Sequence, residues 1–461
     1  MTEQLKLNDS KATRWGALVI VAFTMMAAYY VNDVVAPLKT MLETDLAWSS
    51  TDFGFFTGGY SFLNVFFLML IWGGLILDRF GIRFTGKLAT ILMVGGTALE
   101  YYAMTGLAGA DATLFGINEI FGYKTGVFVA FAGYSIFGVG AEVAGITVSK
   151  IIAKWFKGKE LATAMGVQVA LARIGSQAGY AVAIPLARAF GISTPVLLGL
   201  VLLLGGMIAF FIFAVMDKKL DKQMEAAAIA AGTEDEEEKF SFKDVKNILV
   251  NPGFWLIALL CVLFYSCVFP FQKFASELMI IKYGINENVA GTFAGLPALG
   301  ALILTPVFGG FIDKRGKSAS IMLLGSAMLI CVHFIYAIPD INYWLVAIVL
   351  MIILGIAFSL VPSAMWPAVA KIFPVSQLGT AYALIFFIQN IGLWGIPTLI
   401  GWVLDAYCIS GKKPDGTNMY DYTVPMCIFT GIACLSLIVA LLLKKADKKY
   451  GYKLEEPNIQ K

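Results

Sequence analysis

Residues 138–156 read GVGAEVAGITVSKIIAKWF, and residues 355–373 read GIAFSLVPSAMWPAVAKIF. The same spacing relates LATA at 161–164 to LGTA at 378–381, and the likeness runs without a gap to residue 175. Similarity within one chain at a fixed spacing indicates an internal repeat. The sequence therefore predicts two similar halves that follow one another in parallel.

The composition around this repeat is that of a membrane protein. Hydrophobic residues make up 59% of the 461 positions and charged residues 14%, whereas a soluble domain carries about 25% charged residues. Apolar runs of roughly 20 residues recur, and each can cross a hydrocarbon core of about 30 Å. The runs are continuous and do not alternate with period two, so they predict helices and not a barrel.

Twelve such runs form two groups of six on either side of a polar linker. We expect an all-α membrane protein with twelve transmembrane helices: a six-helix bundle at 1–216, a cytoplasmic linker at 217–251 and a pseudo-symmetric six-helix bundle at 252–461. An acidic run at 234–238 is interpreted as a solvated tether. The predicted spans are 15–38, 53–77, 84–106, 123–149, 161–188, 194–216, 253–282, 288–312, 318–338, 343–370, 378–404 and 423–443.

Basic residues in the loops predict the orientation. The loops after spans 2, 4 and 8 and the C-terminal tail are rich in Lys and Arg, whereas the opposite loops are poor in them apart from Lys412 and Lys413. Loops with this excess stay on the cytoplasmic side. We therefore expect both termini and the linker to be cytoplasmic.

Several classes of chemistry find no support in the sequence. The six cysteines show no C-x-x-C spacing, and His333 is the only histidine, which disfavours metal and redox sites and a Ser-His-Asp triad. Phosphate loops and nucleophile elbows are also missing from the sequence. We expect no enzyme, no metal site, no cofactor and no nucleic-acid partner.

A charged loop follows span 2 and has a counterpart after span 8. The first reads GGLILDRFGIR at 73–83, and the second reads GGFIDKRG at 309–316. Asp78 can pair with Arg79 and Arg83 of its own loop, and Asp313 can pair with Lys314 and Arg315. These pairs are predicted to form a latch that closes in one conformation and breaks in the other. The alternative is two ordinary charged turns. The predicted gating residues are Asp78, Arg79, Arg83, Asp313 and Lys314.

Two ionisable residues are predicted near the membrane midplane. At 1.5 Å per residue, Glu142 lies about 12 Å and Arg173 about 18 Å from the cytoplasmic ends of spans 4 and 5. Buried charges in a membrane are costly, which makes each of them a candidate functional residue. Arg173 is expected to hold a substrate carboxylate, and Glu142 an amino group or a proton. The alternative is a buried ion pair that only fixes the register of the two helices.

Other polar and aromatic residues fall on predicted spans. Asp33, in the outer half of span 1, is assigned either to substrate binding or to gating. Lys273 and Glu277, four residues apart on span 7, are predicted to pair with each other near the outer surface. The remaining residues expected to line the pocket are Tyr60, Tyr265, Trp366 and Asn390.

Longer motifs resemble one branch of a known family. Together with the loop at 73–83, they resemble the lysosomal dipeptide uniporter branch of the major facilitator superfamily. The resemblance covers nearly all of the spans. The motifs are WFKGKEL at 155–161, ARIGS at 172–176, VFPF at 268–271, WPAV at 366–369, QLGTAY at 377–382 and QNIGL at 389–393.

This resemblance implies facilitated dipeptide movement by alternating access. It also implies that Glu142 and Arg173 clamp the two peptide termini, with Trp366 in the pocket. The chain departs from the lysosomal members, because it has no acidic dileucine signal at the N-terminus and no N-glycosylation sequon in a non-cytoplasmic loop. We therefore expect a prokaryotic relative in the cell membrane, in which Glu142 provides a route to proton coupling.

The predicted function is transport of short peptides or similar zwitterions across the bilayer by a protein that acts as a monomer. An organic-anion transporter of the same fold is a second possibility, although a buried Glu142 opposes a purely anionic ligand. A membrane sensor that binds its ligand without moving it is a third.

Overall fold

The computed structural model describes residues 6–109, 112–156, 159–231 and 242–457, and the acidic run at 234–238 lies outside them. The first half contains α1 (Lys11–Val34), α2 (Lys39–Asp45), α3 (Ser50–Phe66), α4 (Met69–Thr105), α5 (Thr125–Trp155), α6 (Leu161–Phe190) and α7 (Thr194–Ala231). A short 3₁₀ turn, Ala36–Leu38, joins α1 to α2.

The second half begins with a short helix that precedes the first membrane-spanning helix of that half. Its helices are α8 (Phe242–Val250), α9 (Pro252–Tyr283), α10 (Glu287–Ala294), α11 (Leu296–Arg315), α12 (Ser318–Ala337), α13 (Trp344–Ile372), α14 (Val375–Tyr407) and α15 (Thr423–Tyr450). Two antiparallel hairpins complete the described structure: β1 (Glu119–Ile120) with β2 (Tyr123–Lys124), and β3 (Ile409–Lys412) with β4 (Asn418–Tyr420).

The second predicted span is bent, and its end is continuous with the third. α3 and α4 meet at an angle of 58°, next to Leu68, whose φ is 53°. α4 is itself interrupted at Gly81, whose φ of 75° is a conformation that glycine adopts at little cost. Predicted span 2 therefore runs through α3 into the first part of α4, and predicted span 3 is the part of α4 after Gly81.

Each of the twelve predicted spans is helical, with span 2 divided between α3 and α4 and span 8 between α10 and α11, although hydropathy alone gives fewer spans. Among the described residues, nine helical segments are long and apolar enough to cross a membrane, and the bent α3–α4 pair makes a tenth. α6 is not one of them. It presents Gln168 and Arg173 to an internal cavity, so its polar residues belong to the inside of the protein and not to a lipid-facing side.

The helices pack as two bundles. In the first half α4 packs on α5 and α1 on α6, and in the second half α12 packs on α15 and α11 on α13. The two bundles meet where α3 packs on α14 and where α6 packs on α10 and α11. This is the two-bundle arrangement expected from the internal repeat.

Two glycines allow α3 and α14 to touch through their backbones. A β-carbon at Gly54 would overlap the Pro397 carbonyl, and one at Gly401 would overlap the Ser50 carbonyl. The two glycine Cα atoms face each other, so any larger residue would push the bundles apart.

The two ends of the molecule are distinguished by their connections. We call the end with the two hairpins, α2 and Lys413 the hairpin face. The opposite end, which holds Asp78, Lys150, Asp217 and α8, is the linker face.

Candidate substrate-binding cavity

A cavity of about 1050 Å³ lies between the two bundles. Helices α1, α3, α4, α5 and α6 line it from the first half, and α9, α13 and α14 from the second. Its walls extend from Asn32 and Lys273, near the hairpin face, to Asp78, Ser149 and Gly379 at the linker face. The cavity therefore opens at the linker face, where Val245 of α8 lies at its rim.

Arg173 projects from α6 between aromatic rings of both halves. Its guanidinium carbon lies 4.8 Å from the ring centre of Phe358 on α13 and 5.6 Å from that of Tyr29 on α1. Stacking on ring faces holds a guanidinium in place without using up its five N–H donors. Within the described part of the chain, no carboxylate lies within 4 Å of it, so its hydrogen-bonding edge is available to a ligand.

Glu142 lies on α5 in the wall of the same cavity. Tyr60 of α3 donates a hydrogen bond of 3.0 Å from its hydroxyl to Glu142 Oε1. Glu142 and Arg173 do not form an ion pair in this conformation. The alternative of a buried ion pair that only fixes the register of the two helices is therefore not observed here. A carboxylate and a guanidinium thus face one cavity, each without a charged partner among the described residues.

The second half supplies an aromatic wall. Trp366 Nε1 donates to the Tyr265 hydroxyl at 3.3 Å, and the Trp366 ring stacks on Phe386 with ring centres 4.8 Å apart. Tyr382 donates to the Trp366 carbonyl at 3.0 Å, and Tyr265 stacks on Phe269. Such a wall offers apolar contact to a ligand side chain and a small number of polar atoms to orient it.

Of the seven predicted substrate-binding residues, five line the cavity: Glu142, Arg173, Trp366, Tyr60 and Tyr265. Asn390 does not. Its side-chain amide donates to the Phe386 carbonyl one turn earlier in α14, and the residue is buried. Gln389, the preceding residue, lines the cavity in its place, because successive residues of a helix point about 100° apart.

Asp33 also lies outside the cavity lining, in a buried ion pair between the halves. Its Oδ1 is 3.2 Å from Lys273 Nζ of α9, and its Oδ2 accepts a 2.6 Å hydrogen bond from Ser176 of α6. The predicted pairing of Lys273 with Glu277 is therefore wrong. The i,i+4 rule describes an isolated helix surface, whereas α9 is covered by the other half here.

Glu277 belongs to a second buried cluster that joins the halves at the hairpin face. Lys39 Nζ lies 2.5 Å from Glu277 Oε2 and 2.5 Å from Glu43 Oε1. Lys413 of the β3–β4 hairpin lies 3.5 Å from both carboxylates, and the Tyr422 hydroxyl donates to Glu277. This cluster is not predicted from the sequence, although Lys413 is a basic residue in an otherwise Lys- and Arg-poor loop.

At the linker face, the predicted gating residues pair differently from expectation. Asp78 Oδ1 lies 3.2 Å from Lys150 of α5, and Arg83 lies 2.6 Å from Asp221 of α7. Arg79 lies over the ring of Phe80. The predicted pairing of Asp78 with its own loop's arginines is not observed, because the break at Gly81 separates Arg83 from Asp78 and turns it toward α7.

The corresponding loop of the second half is covered by the C-terminal segment. Asp313 and Lys314 lie in the last turn of α11, before the turn at Gly316. Lys317 and Ser318 donate backbone hydrogen bonds to the carbonyls of Glu455 and Leu454. The two repeat-related loops therefore have different neighbours, and their role in gating stays a prediction.

Known proteins share this sequence pattern and fold. The Major Facilitator Superfamily model matches residues 18–397 and 274–456. The chain is 29% identical over 454 residues to the lysosomal dipeptide transporter MFSD1 of Homo sapiens, covering 95% of this chain and 88% of that protein. It is 33% identical over 287 residues to the protein of that name from Gallus gallus, covering 59% and 62%.

Solved structures of transporters have the same architecture. The nucleoside transporter NupG superposes with a TM-score of 0.69 at 12% identity, covering 93% of this chain and 98% of that one. A D-xylose–proton symporter superposes with a TM-score of 0.64 at 15% identity, covering 93% and 97%. The chain belongs to the major facilitator superfamily of membrane transporters and has its fold of two six-helix bundles.

Proposed function

We propose that this protein transports short peptides, dipeptides foremost, across the membrane by alternating access. The observation that carries the proposal is the pair formed by Arg173 and Glu142, which face one cavity between the bundles without a charged partner among the described residues. The relatives that are named as dipeptide transporters support the choice of substrate.

A dipeptide fits the chemistry of this cavity. The Arg173 fork binds the C-terminal carboxylate through two parallel N–H donors. Glu142, oriented by Tyr60, pairs with the N-terminal ammonium and accepts hydrogen bonds from it. The aromatic wall of Trp366, Tyr265 and Phe386 tolerates varied side chains, because stacking and apolar contact make few demands on shape.

Transport follows from rocking of the two halves about the bound peptide. In the conformation described here, the cavity opens at the linker face, and ion pairs close the hairpin face. Loading from the other side requires the Lys39–Glu277 and Asp33–Lys273 pairs to break. We further propose that the linker face lies in the cytoplasm and that the protein functions as a monomer in the lipid bilayer of the cell membrane.

The test is uptake of a labelled dipeptide into proteoliposomes. Arg173→Ala should reduce uptake at least about a hundredfold, because a lost charged hydrogen-bond pair costs about 3 kcal/mol or more. Glu142→Gln should weaken uptake of dipeptides more than uptake of N-acetylated dipeptides. Lys412→Ala, which removes an exposed cation far from the cavity, is the matched control and should transport normally.

An organic anion is the second candidate substrate, because Arg173 would also bind it. Thermal-shift measurements separate the two classes, since a ligand stabilises the state that it binds. Stabilisation by dipeptides and not by mono- or dicarboxylates is expected. Dicarboxylate uptake that survives in Glu142→Gln, with no dipeptide uptake by the unmodified protein, would overturn the peptide proposal.

A further inference from the structure

Glu100 is a buried carboxyl group to which transport as described above assigns no role. It lies on α4, is fully buried, and neither of its side-chain oxygens has a hydrogen-bond partner among the described residues. α5 packs directly against it, with Gly133 facing the Glu100 backbone. The group therefore lies inside the first bundle and away from lipid.

Glu100 lies beside the ion pair that joins the two halves. Gly133 of α5 faces the Glu100 backbone, and the hydroxyl of the next residue, Tyr134, lies 3.4 Å from Lys273 Nζ. The ammonium of Lys273 has three N–H donors. Its partners are the Asn32 carbonyl at 2.6 Å, Asp33 Oδ1 at 3.2 Å and the Tyr134 hydroxyl at 3.4 Å. No donor of Lys273 is left for Glu100.

The charges of this region balance without an ionised Glu100. One ammonium, on Lys273, is already paired with one carboxylate, on Asp33. A second carboxylate with neither a cation of its own nor a hydrogen bond would carry a large desolvation penalty in a dry interior. A carboxylic acid in that position avoids most of the penalty, because it carries no charge.

The environment of Glu100 depends on which face of the transporter is closed. Glu100, Tyr134 and Asp33 belong to the first half, whereas Lys273 belongs to the second. When the halves separate at the hairpin face, Lys273 moves away and water reaches the space that it leaves. An ionised Glu100 can be hydrated in that conformation but not in the closed one.

We propose that Glu100 is a proton-binding site whose occupancy is linked to closure of the hairpin face. The proton is bound while that face is closed and is released when it opens. The groups that face Glu100 from neighbouring helices of the described chain are Tyr134 on α5, Lys273 on α9 and, through Lys273, Asp33 on α1. This site is separate from Glu142, which lies about 12 Å nearer the linker face along α5.

The linkage can be measured without any substrate, so the result does not depend on the proposed peptide transport. Spin labels at Glu119→Cys and Lys412→Cys report the distance between the two hairpins, which belong to opposite halves. The exposed cysteines Cys331, Cys427 and Cys434 are first replaced by serine. Distance distributions from electron–electron resonance then give the ratio of open to closed hairpin face.

Raising the pH from about 5 to about 8 should increase this ratio, by up to tenfold per pH unit for one linked proton. Glu100→Gln, which resembles the protonated acid, should stay closed, with a change of less than about twofold over the same range. Asp45→Asn, which neutralises an exposed carboxylate on α2, is the matched control and should keep the full pH response.

Glu100→Leu fills the same apolar space without a carboxyl group and serves as a second neutral variant should Glu100→Gln fail to fold. Glu100→Asp retains a titratable group and should keep a pH response. A full response in both neutral variants would overturn the proposal, because other carboxylates such as Glu43 or Glu277 would then be responsible. A pH-independent distance in the unmodified protein would overturn it as well.

Discussion

The hairpin face and the linker face use ion pairs in opposite ways. At the hairpin face, the pairs Lys39–Glu277, Lys413–Glu43, Lys273–Asp33 and Arg188–Glu287 each join one half to the other. At the linker face, the pairs Lys150–Asp78, Arg83–Asp221, Lys154–Asp217 and Lys317–Glu455 each stay within one half.

Burial also differs between the central pairs of the two faces, although Arg188–Glu287 at the hairpin face is exposed and Asp217 at the linker face is buried. The side chains of Lys39 and Glu277 are 1% and 0% exposed, whereas those of Lys150 and Asp78 are 38% and 59% exposed. Removing one partner of a buried pair is costly, because the other is left as an unpaired buried charge, whereas exposed pairs contribute little. Charge pairs thus connect the two halves at the hairpin face and not at the linker face, and under the proposed alternating access the pairs at the hairpin face are the ones that must break.

Lys39→Ala should have the largest effect on this comparison. It removes the cation that lies 2.5 Å from both Glu43 and Glu277 and leaves only Lys413, at 3.5 Å from each, to balance the two carboxylates, at a cost of up to roughly 3–5 kcal/mol to the closed hairpin face. The spin-label distance between the hairpins should lengthen. Lys412→Ala, on the exposed side of the same face, should leave the distance unchanged in a protein labelled at another hairpin position. An unchanged distance in Lys39→Ala would mean that the cluster does not hold this face shut.

Arg83→Ala tests the linker face and should have a smaller effect. Arg83 is 38% exposed, and buried Asp217 keeps bonds to Lys154 at 2.8 Å and to Trp155 Nε1 at 2.9 Å. The free energy of unfolding should fall by about 1 kcal/mol. The hairpin distance should not change, because the pair lies within the first half. A lengthened distance would show that the two faces are coupled through α7.

The smallest effect concerns pH at the N-terminal segment. The hydrogen bond from Lys159 to Asp9 lowers the pKa of the Asp9 carboxyl below its ordinary value of 3.8. A lowered folded-state pKa means that the stabilisation is complete above 3.8 and is lost as the pH falls through the folded-state value. Pepsin should therefore cleave the segment before α1 faster as the pH falls from about 4 to about 2. The Asp9→Asn variant should be cleaved by pepsin faster than the unmodified protein near pH 4. Equal cleavage rates for the two proteins at that pH would contradict the contact.

The architecture could be predicted because it depends on patterns that can be read directly from the sequence: the internal repeat and the apolar runs. The repeat at 138–156 and 355–373 established two halves, and apolar runs located the helices. Glu142 and Arg173 could both be placed well inside their helices because helix rise converts residue counts into distance. The hydropathy of α6 is lower because polar residues such as Gln168 and Arg173 face the cavity, but its apolar run at 161–188 still located the helix.

The charge pairing could not be predicted, because it depends on which half covers which residue. Lys273 and Glu277 satisfy a local pairing rule, yet each finds its partner on the other half, on α1 and α2. Arg83 was assigned to Asp78 by proximity in sequence, and the break at Gly81 separates them. Asn390 is one position away from the lining residue Gln389. Helix boundaries predicted from sequence are uncertain by more than one residue, so they cannot decide which of the two faces the cavity.

The contact between Gly54 and Gly401 has a mechanical consequence. Where helices meet through interlocked side chains, a change of tilt must first pull those side chains out of their grooves. At this crossing the backbone of α3 meets the backbone of α14, so the angle between the two helices can change without side chains first separating. We therefore expect the bundles to change their relative orientation about this close backbone contact between α3 and α14.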